Sequence, residues 1–372
     1  MSTSVFVLAF ADIGIGDRLA VGGKGASLGE LTRAGIRVPP GFVVTTAAFE
    51  RALAALDPGG AIRRQIQALP ADDHFAISSA TAAIRGRMEQ VPLPEEIRSA
   101  IVDSYSRLGL RAGAADASVP VAVRSSATSE DSAEASFAGL QDTYLWVRGE
   151  NAVVAHVRRC WASLYSVESV SYRLRLRLPE KGLAMGVVVQ RMVDARSSGV
   201  MFTRSPTTGD RSVVAIEASW GLGSAVVSGE VTPDTYVVNK VTGEIVKRTV
   251  SIKTRWHRPN ANAAGVLDED VPEHLQNEPC LSDDEVRQLA EVARRVERHY
   301  GTPQDIEWAI AHDLPAGEHL FLLQSRPETV WAGRDAAPVA APKGRAFDHV
   351  MSLFGGAAAA ADAAKREGED SR

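Results

Sequence analysis

Residues 120–144, PVAVRSSATSEDSAEASFAGLQDTY, constrain this chain more than any other stretch. Val121 and Val123 alternate as in a strand, and Arg124 stands at its end. Ser125, Ser126, Thr128, Ser129 and Ser132 then mix small hydroxyl side chains with Glu130, Asp131 and Glu134. Ser136, Phe137, Ala138 and Gly139 precede a second strand-like run, TYLWV, at 143–147. A strand, a small-residue loop with an Arg, and a returning strand is one way to cover a phosphate chain. Small residues let backbone N–H groups approach the oxygens, and the guanidinium supplies a planar fork of donors. The same composition also suits a serine-rich surface loop between two strands.

The chain has 372 residues, enough for two or three ordinary domains or one enzyme built of subdomains. A net charge of −5 gives no support for non-specific nucleic-acid binding. Cys160 and Cys280 lack any partner motif, so neither a disulfide framework nor a zinc site is indicated. Residues 5–11 are too short and lack the basic flank of a signal peptide, and no apolar run approaches membrane-spanning length. The cytoplasm is the expected compartment.

Apolar periodicity predicts strands at 5–10, 42–46, 185–193, 199–203, 213–217, 304–310 and 319–324, with a hairpin of 235–239 and 244–252 about Thr242-Gly243. Helices are predicted at 47–56 with Thr46 as cap, at 75–88 and 94–110, from Asn151 as cap to about 165, and at 167–176. A further helix, 283–300, carries a capping box of Ser282 and Glu285. Residues 336–343 read as an Ala/Pro linker, 347–354 as a short apolar helix, and 355–372 as a disordered tail.

Four further stretches bear on chemistry. Gly22-Gly23-Lys24-Gly25 opens a helix, and glycines there expose N–H donors to an anion while Lys adds charge; an ordinary Gly-rich turn fits equally. Gln190, Arg191, Met192 and Val193 end an apolar strand in the extended backbone that can hold a flat heteroaromatic base, or they are a core strand with two surface residues. If the strands around Glu307 and Gln324 are neighbours, two oxygen ligands meet at a point suited to Mg²⁺, and Arg326 falls on the Gln324 face within reach of phosphates. Edge strands with polar outer faces fit the same spacing. Glu217 leads into Gly221-Leu222-Gly223-Ser224, whose glycines permit close backbone approach.

Taken in order, GGKGASLGEL, VPPGFVVTT, VAVRSSATSEDSAEASFAGLQDTYL, VVVQRMV, SGVMFTRSP, IEASWGLG, GEVTPDTYVV, DIEWAI and LLQSRPETVW resemble the N-terminal nucleotide-binding domain of the pyruvate,phosphate dikinase and phosphoenolpyruvate synthase family. The resemblance covers about residues 21–331. It implies an α/β (α+β) ATP-grasp fold of two or three subdomains with ATP between them: 1–195 with the Gly/Lys and Ser-rich loops, 196–332 with metal and phosphate ligands, and 333–372 as linker and tail. It makes Lys24 and Arg124 phosphate ligands, Ser136 to Gly139 the loop over the phosphates, and Gln190 to Val193 the adenine hinge. Glu217 joins the nucleotide-binding set, Glu307 and Gln324 become Mg²⁺ ligands, and Arg326 a γ-phosphate ligand. Arg124 and Arg326 are the expected catalytic residues. Ser224 departs from the Glu frequent at this position in such chains.

Family enzymes pass a phosphoryl group from ATP to a histidine in a Thr/Ser-His glycine loop on a separate swivelling domain. None of the eight histidines here sits in such a loop. The chain is therefore expected to be a complete ATP-binding subunit of a split dikinase, its partner bearing the histidine and the acceptor site. It is similar in architecture to the ATP-binding subunit of phenylphosphate synthase. A gating module without transfer and a segment of a longer dikinase are the alternatives.

Overall fold

The continuous apolar run at 185–191 is explained by its place in the fold: it is the middle strand of a sheet covered on both faces. The computed structural model describes residues 6–111, 118–128, 131–132, 135–136, 142–260 and 263–331. The chain divides into two compact units, Met1–Glu328 and Thr329–Arg372. The elements below lie in the first; the linker, short helix and tail expected beyond 332 lie outside the described residues.

In chain order the first half holds β1 (Val7–Ala9), α1 (Arg18–Arg33), β2 (Gly41–Val44), α2 (Thr46–Leu56), α3 (Ala61–Gln67), α4 (His74–Gln90), α5 (Glu95–Arg111), β3 (Val121–Ala127), the two-residue strands β4 (Asp131–Ser132) and β5 (Ala135–Ser136), β6 (Thr143–Val147), α6 (Glu150–Ser163), α7 (Val167–Arg175) and β7 (Met185–Arg191). The second half holds β8 (Ala195–Phe202), β9 (Val213–Trp220), α8 (Ser224–Val227), β10 (Asp234–Asn239), β11 (Ile245–Thr249), β12 (Arg255–Pro259), β13 (Val266–Asp270), α9 (Glu273–Gln276), α10 (Asp283–Tyr300), β14 (Gln304–Ala311) and β15 (Leu320–Pro327).

Two antiparallel sheets organise these elements. The first runs β1-β2-β7-β3-β6 and the second β11-β10-β9-β8-β14-β15. On the first, Val187 and Val189 join Phe49, Ile101, Val157 and Trp161 of the helical layer, while Val188 packs with Val21, Ala26 and Leu28 of α1. On the second, Met201, Ile216, Ile306 and Trp308 pack against Val286, Leu289, Ala293 and Val296 of α10. Ser282 and Glu285 cap α10 reciprocally, as their spacing predicts.

Helix α1 joins the two halves. Gly22 interrupts it with φ 74°, ψ 176°, a conformation that glycine adopts without a Cβ penalty. Ser126 of β3 repairs the break: its hydroxyl donates to Val21 O at 2.8 Å and accepts from Gly25 N–H at 3.0 Å. A Cβ on Gly22 would lie 1.9 Å from Ser126 O. Beyond the break, Ser27 Oγ donates to Ser325 O of β15 at 2.6 Å, and Leu31 enters the core of the second sheet.

Several expectations are corrected. Thr45, not Thr46, caps α2, accepting from Ala48 N–H. Gly149, with φ 86°, precedes α6, and Asn151 lies inside it; the left-handed glycine turns the chain out of β6, so no side-chain cap is formed. Arg124 sits mid-strand, because β3 continues through Ser125 and Ser126 into Ala127. The strand expected at 199–203 begins earlier, at Ala195, and lies in the other sheet from β7, so 192–194 carry the chain across from one to the other. The β12–β13 hairpin and α3 have no counterpart in the sequence reading.

Ser126→Ala leaves two buried backbone groups without their partner. It should cost about 2–3 kcal/mol in urea unfolding. Gly22→Ala should cost more, since both its φ and its Cβ are disallowed, and equal losses would show that the break is not what Ser126 maintains.

Candidate nucleotide-binding site

Residues directly opposed in an antiparallel sheet share a face. Across the second sheet Thr235 pairs with Glu217, Glu217 with Val200, Val200 with Glu307, and Glu307 with Gln324. These five therefore form one row on the face away from α10. One row along, Asp305 pairs with Phe202 and with Arg326. Glu307 and Gln324 are thus neighbours with Arg326 on their face.

A register shift between Glu307 and Trp308 inserts Leu323 as an extra residue in β15. Leu322 stays in the α10 core, while Leu323 packs with Ala309 on the other side. The Leu323 carbonyl accepts from Arg124 Nη1 at 3.4 Å, and Arg124 Nη2 stands 3.5 Å from Glu307 Oε2. Arg124 Nε is buried without a hydrogen-bond partner among the described residues. Strand β3 of one sheet thus places a cation over the acidic row of the other. Lys24 is half-buried two residues beyond the Gly22 break, and Ser126, which holds that break, follows Arg124 by two on the same strand face.

Arg326 Nε donates to Asp305 Oδ2 at 3.3 Å, and its side chain is 53% exposed. Burial pushes the Asp305 carboxyl above the usual carboxylate range, with Arg326 opposing. Burial alone raises Glu217, which has no hydrogen bond or ion pair to any described residue. Half-buried carboxylates without partners are costly, and a ligand with donor groups relieves them.

The sheet-crossing segment supplies the apolar side. Arg191 N–H and Met192 N–H are used by Pro40 O and Pro120 O, both at 2.9 Å. Val193 N–H has no hydrogen-bond partner among the described residues. Met192 and Val193 pack with Ala195, Leu222, Ala309 and Leu323. Gln190 is 2% exposed and its Nε2 lacks an acceptor among the described residues, while Arg191 is exposed. A flat ring has apolar walls here and one free backbone donor.

The structure therefore gathers Arg124, Glu307, Gln324 and Arg326, with Glu217 on the same row, Gln190, Met192 and Val193 at the crossing, and Lys24 on α1. Ser136 lies in β5, paired with Asp131; Phe137, Ala138 and Gly139 lie outside the described residues. Asp305, which holds Arg326, was within reach of the sequence, since it precedes Glu307 by two in a strand. Leu222 and Leu323 were not, because a bulge and a loop return place them.

Glu217→Gln removes a carboxylate that is harder to ionise folded than unfolded. With its folded pKa raised, stability from this group is present below the ordinary carboxylate value and lost as pH rises through the folded value. The variant should therefore melt above the parent at pH 7, with the gain vanishing near pH 4. A lower melting temperature at pH 7 would mean that Glu217 has a stabilising partner.

Comparison with known proteins fits this geometry. The family model described as pyruvate phosphate dikinase, AMP/ATP-binding domain, matches residues 18–345. A probable phosphoenolpyruvate synthase of Staphylothermus marinus is 42% identical over 348 residues, covering 88% of this chain and 42% of that protein. One from Methanothermobacter thermautotrophicus is 44% identical over 325 residues, covering 87% and 46%. A rifampicin phosphotransferase of a Streptomyces species is 43% identical over 324 residues, covering 87% and 36%. The chain spans less than half the length of these relatives. With the family model matching residues 18–345 and a two-sheet fold of helices and strands, this chain is a member of the pyruvate phosphate dikinase AMP/ATP-binding domain family, an α+β domain of ATP-grasp type.

Proposed function

We propose that the chain is the ATP-binding subunit of a dikinase-type phosphotransferase: it holds Mg·ATP in the cleft and delivers the β-phosphoryl group to a histidine on a partner subunit, releasing AMP and phosphate. The observation that carries this reading is the meeting of Arg124 with the Glu307–Gln324 pair across the two sheets. A cation beside paired oxygen donors suits a polyphosphate with its metal. Glu307 and Gln324 would hold Mg²⁺, which when bound neutralises charge on the phosphate oxygens.

The chain's own groups do the rest. Arg124, nearly buried, fixes the phosphates by its fork of donors, and the half-buried Lys24 adds a second cation at the helix break. Arg326, exposed and held by Asp305, stabilises the γ-phosphate. Met192, Val193 and Leu222 enclose the base. The histidine nitrogen forms its bond to the β-phosphorus as the bond to the α-phosphate oxygen breaks, AMP leaves, and water takes the terminal phosphoryl group as phosphate. No described histidine hydrogen-bonds Arg124, Glu307, Gln324 or Arg326, which supports an acceptor histidine outside the described residues. The relatives' names, phosphoenolpyruvate synthase and rifampicin phosphotransferase, support phosphoryl transfer with an acceptor that varies. The final acceptor here would be a small molecule such as phenol or pyruvate, as for the ATP-binding subunit of phenylphosphate synthase.

ATP labelled at the β-phosphate, incubated with Mg²⁺, this chain and proteins co-purified from its native extract, should place acid-labile label on a partner and yield AMP. Arg326→Ala should slow that labelling by about 100-fold or more with the fold intact. Glu307→Gln should raise the Mg²⁺ concentration needed for half-maximal nucleotide binding. Full labelling by Arg326→Ala would overturn the assignment of that residue. Nucleotide binding with no turnover by any partner would favour a gating module instead.

A further inference from the structure

A second polar cluster lies at the Gly221–Gly223 loop, outside the phosphate side of the cleft. His257 of β12 stands opposite Asp268 of β13 in the hairpin register. Its Nε2 is 3.0 Å from Glu230 Oε2, and its Nδ1 is 2.7 Å from Ser224 Oγ at the start of α8. One ligand atom from each of Glu230, His257 and Asp268 lies within 4.8 Å of the others. The His257 side chain is only 15% exposed, whereas the two carboxylates are half-exposed. Glu230, His257 and Asp268 come from three different segments and converge although nothing in the nucleotide site requires it.

We propose that His257 Nε2, Glu230 and Asp268 form a site for a divalent cation of the zinc class, with water completing the shell. The proposal stands independently of the dikinase reading. One imidazole and two carboxylates with an open position is a three-ligand zinc set. The imidazole excludes a preference for Mg²⁺ or Ca²⁺, which take oxygen ligands. A tetrahedral ion with bonds of about 2.1 Å holds its ligand atoms about 3.4 Å apart. The His257–Glu230 spacing of 3.0 Å is already close to that, and the Asp268 oxygen lies within 4.8 Å of both. Arg255 donates to Asp268 Oδ1 at 2.9 Å and stands 2.6 Å from Oδ2. Each carboxylate oxygen keeps a further lone pair for the ion. Ser224 supplies the outer contact that ligating histidines commonly have. On binding, the ion takes the Nε2 lone pair and Nδ1–H donates to Ser224 Oγ, so any Nε2 proton is released to solvent.

The ion would fasten the hairpin to the cleft. The His257 carbonyl accepts from Leu222 N–H at 2.9 Å, and Leu222 packs with Met192 and Val193. A bound ion therefore holds β12 against the loop that walls the base side.

Titration of the metal-stripped full chain with Zn²⁺ alone, followed by calorimetry, should saturate at one ion per chain with proton release. His257→Ala should weaken that binding by about 100-fold or abolish it, and Ser224→Ala should weaken it by about 10–100-fold. Glu230→Gln and Asp268→Asn change half-exposed side chains and keep the fold, so each should weaken Zn²⁺ binding at unchanged melting temperature of the metal-free protein. The absence of saturable Zn²⁺ binding would overturn the proposal. So would binding that is unchanged in Glu230→Gln and Asp268→Asn.

Discussion

The break in α1 at Gly22, held by Ser126, is the constraint on which the rest of the site depends. A continuous helix would satisfy its own backbone groups and would leave Ser126 buried without partners. The left-handed glycine instead presents Val21 O and Gly25 N–H to one hydroxyl, which fixes α1 against β3 in a single register. Arg124 and Ser126 share a face of β3, so the residue that locks the helix also sets where the cation emerges. The far end of α1 completes the junction. Ser27 binds β15 and Leu31 enters the second core, which brings the Arg124 guanidinium to 3.5 Å from the Glu307 carboxylate. One helix thus sets the distance between two sheets that pair with one another through no strand.

The electrostatics of the row follow from that distance. Among the described residues Glu217 is half-buried and unpaired, Asp305 is half-buried beside a single Arg, and Arg124 has a buried donor without an acceptor. Each arrangement costs folding free energy, because desolvated polar groups want partners. Packing elsewhere offsets the cost: α10 lays a continuous apolar stripe under the same strands whose other face carries these groups. The sheet is apolar where it meets a helix and unsatisfied where it faces its counterpart.

Much of this was legible because it is periodic. Alternation at 304–310 and 319–324 put Glu307 opposite in facing to Ile306 and Trp308, and the register then made Gln324 its neighbour. The capping box of α10 and the hairpin about Gly243 follow from local chemistry alone. What was not legible depends on long-range geometry. Asn151 is a good capping residue, yet Gly149 takes the turn because β6 must leave its sheet at that angle. The Gln190–Val193 stretch reads as the end of a strand, but two of its N–H groups are spent on Pro40 and Pro120, and its role comes from crossing between sheets. The bulge at Leu323 has no signature in the sequence, although it decides which leucine faces the core. Ser125 and Ser126 looked like loop residues because β3 is named by two valines, while its polar end is buried by α1.

The β12–β13 hairpin, absent from the sequence reading, connects two of these features. Its strands are short and contain no fully buried residue, and Trp256 and Val266 carry its apolar packing against the rest of the molecule. Beside the packing of Val266 on Leu222, its attachment there includes backbone: Leu222 N–H donates to His257 O, and Gly221, at φ 75°, lies so close that a Cβ there would sit 2.4 Å from the same carbonyl. Only a glycine permits that approach. The side chain of the same residue faces Ser224 and Glu230 on the outside. His257 therefore joins the apolar cluster of Leu222, Met192 and Val193 by its main chain and a partly exposed polar cluster by its ring. Whatever fixes the ring fixes that apolar contact, because one backbone unit separates them.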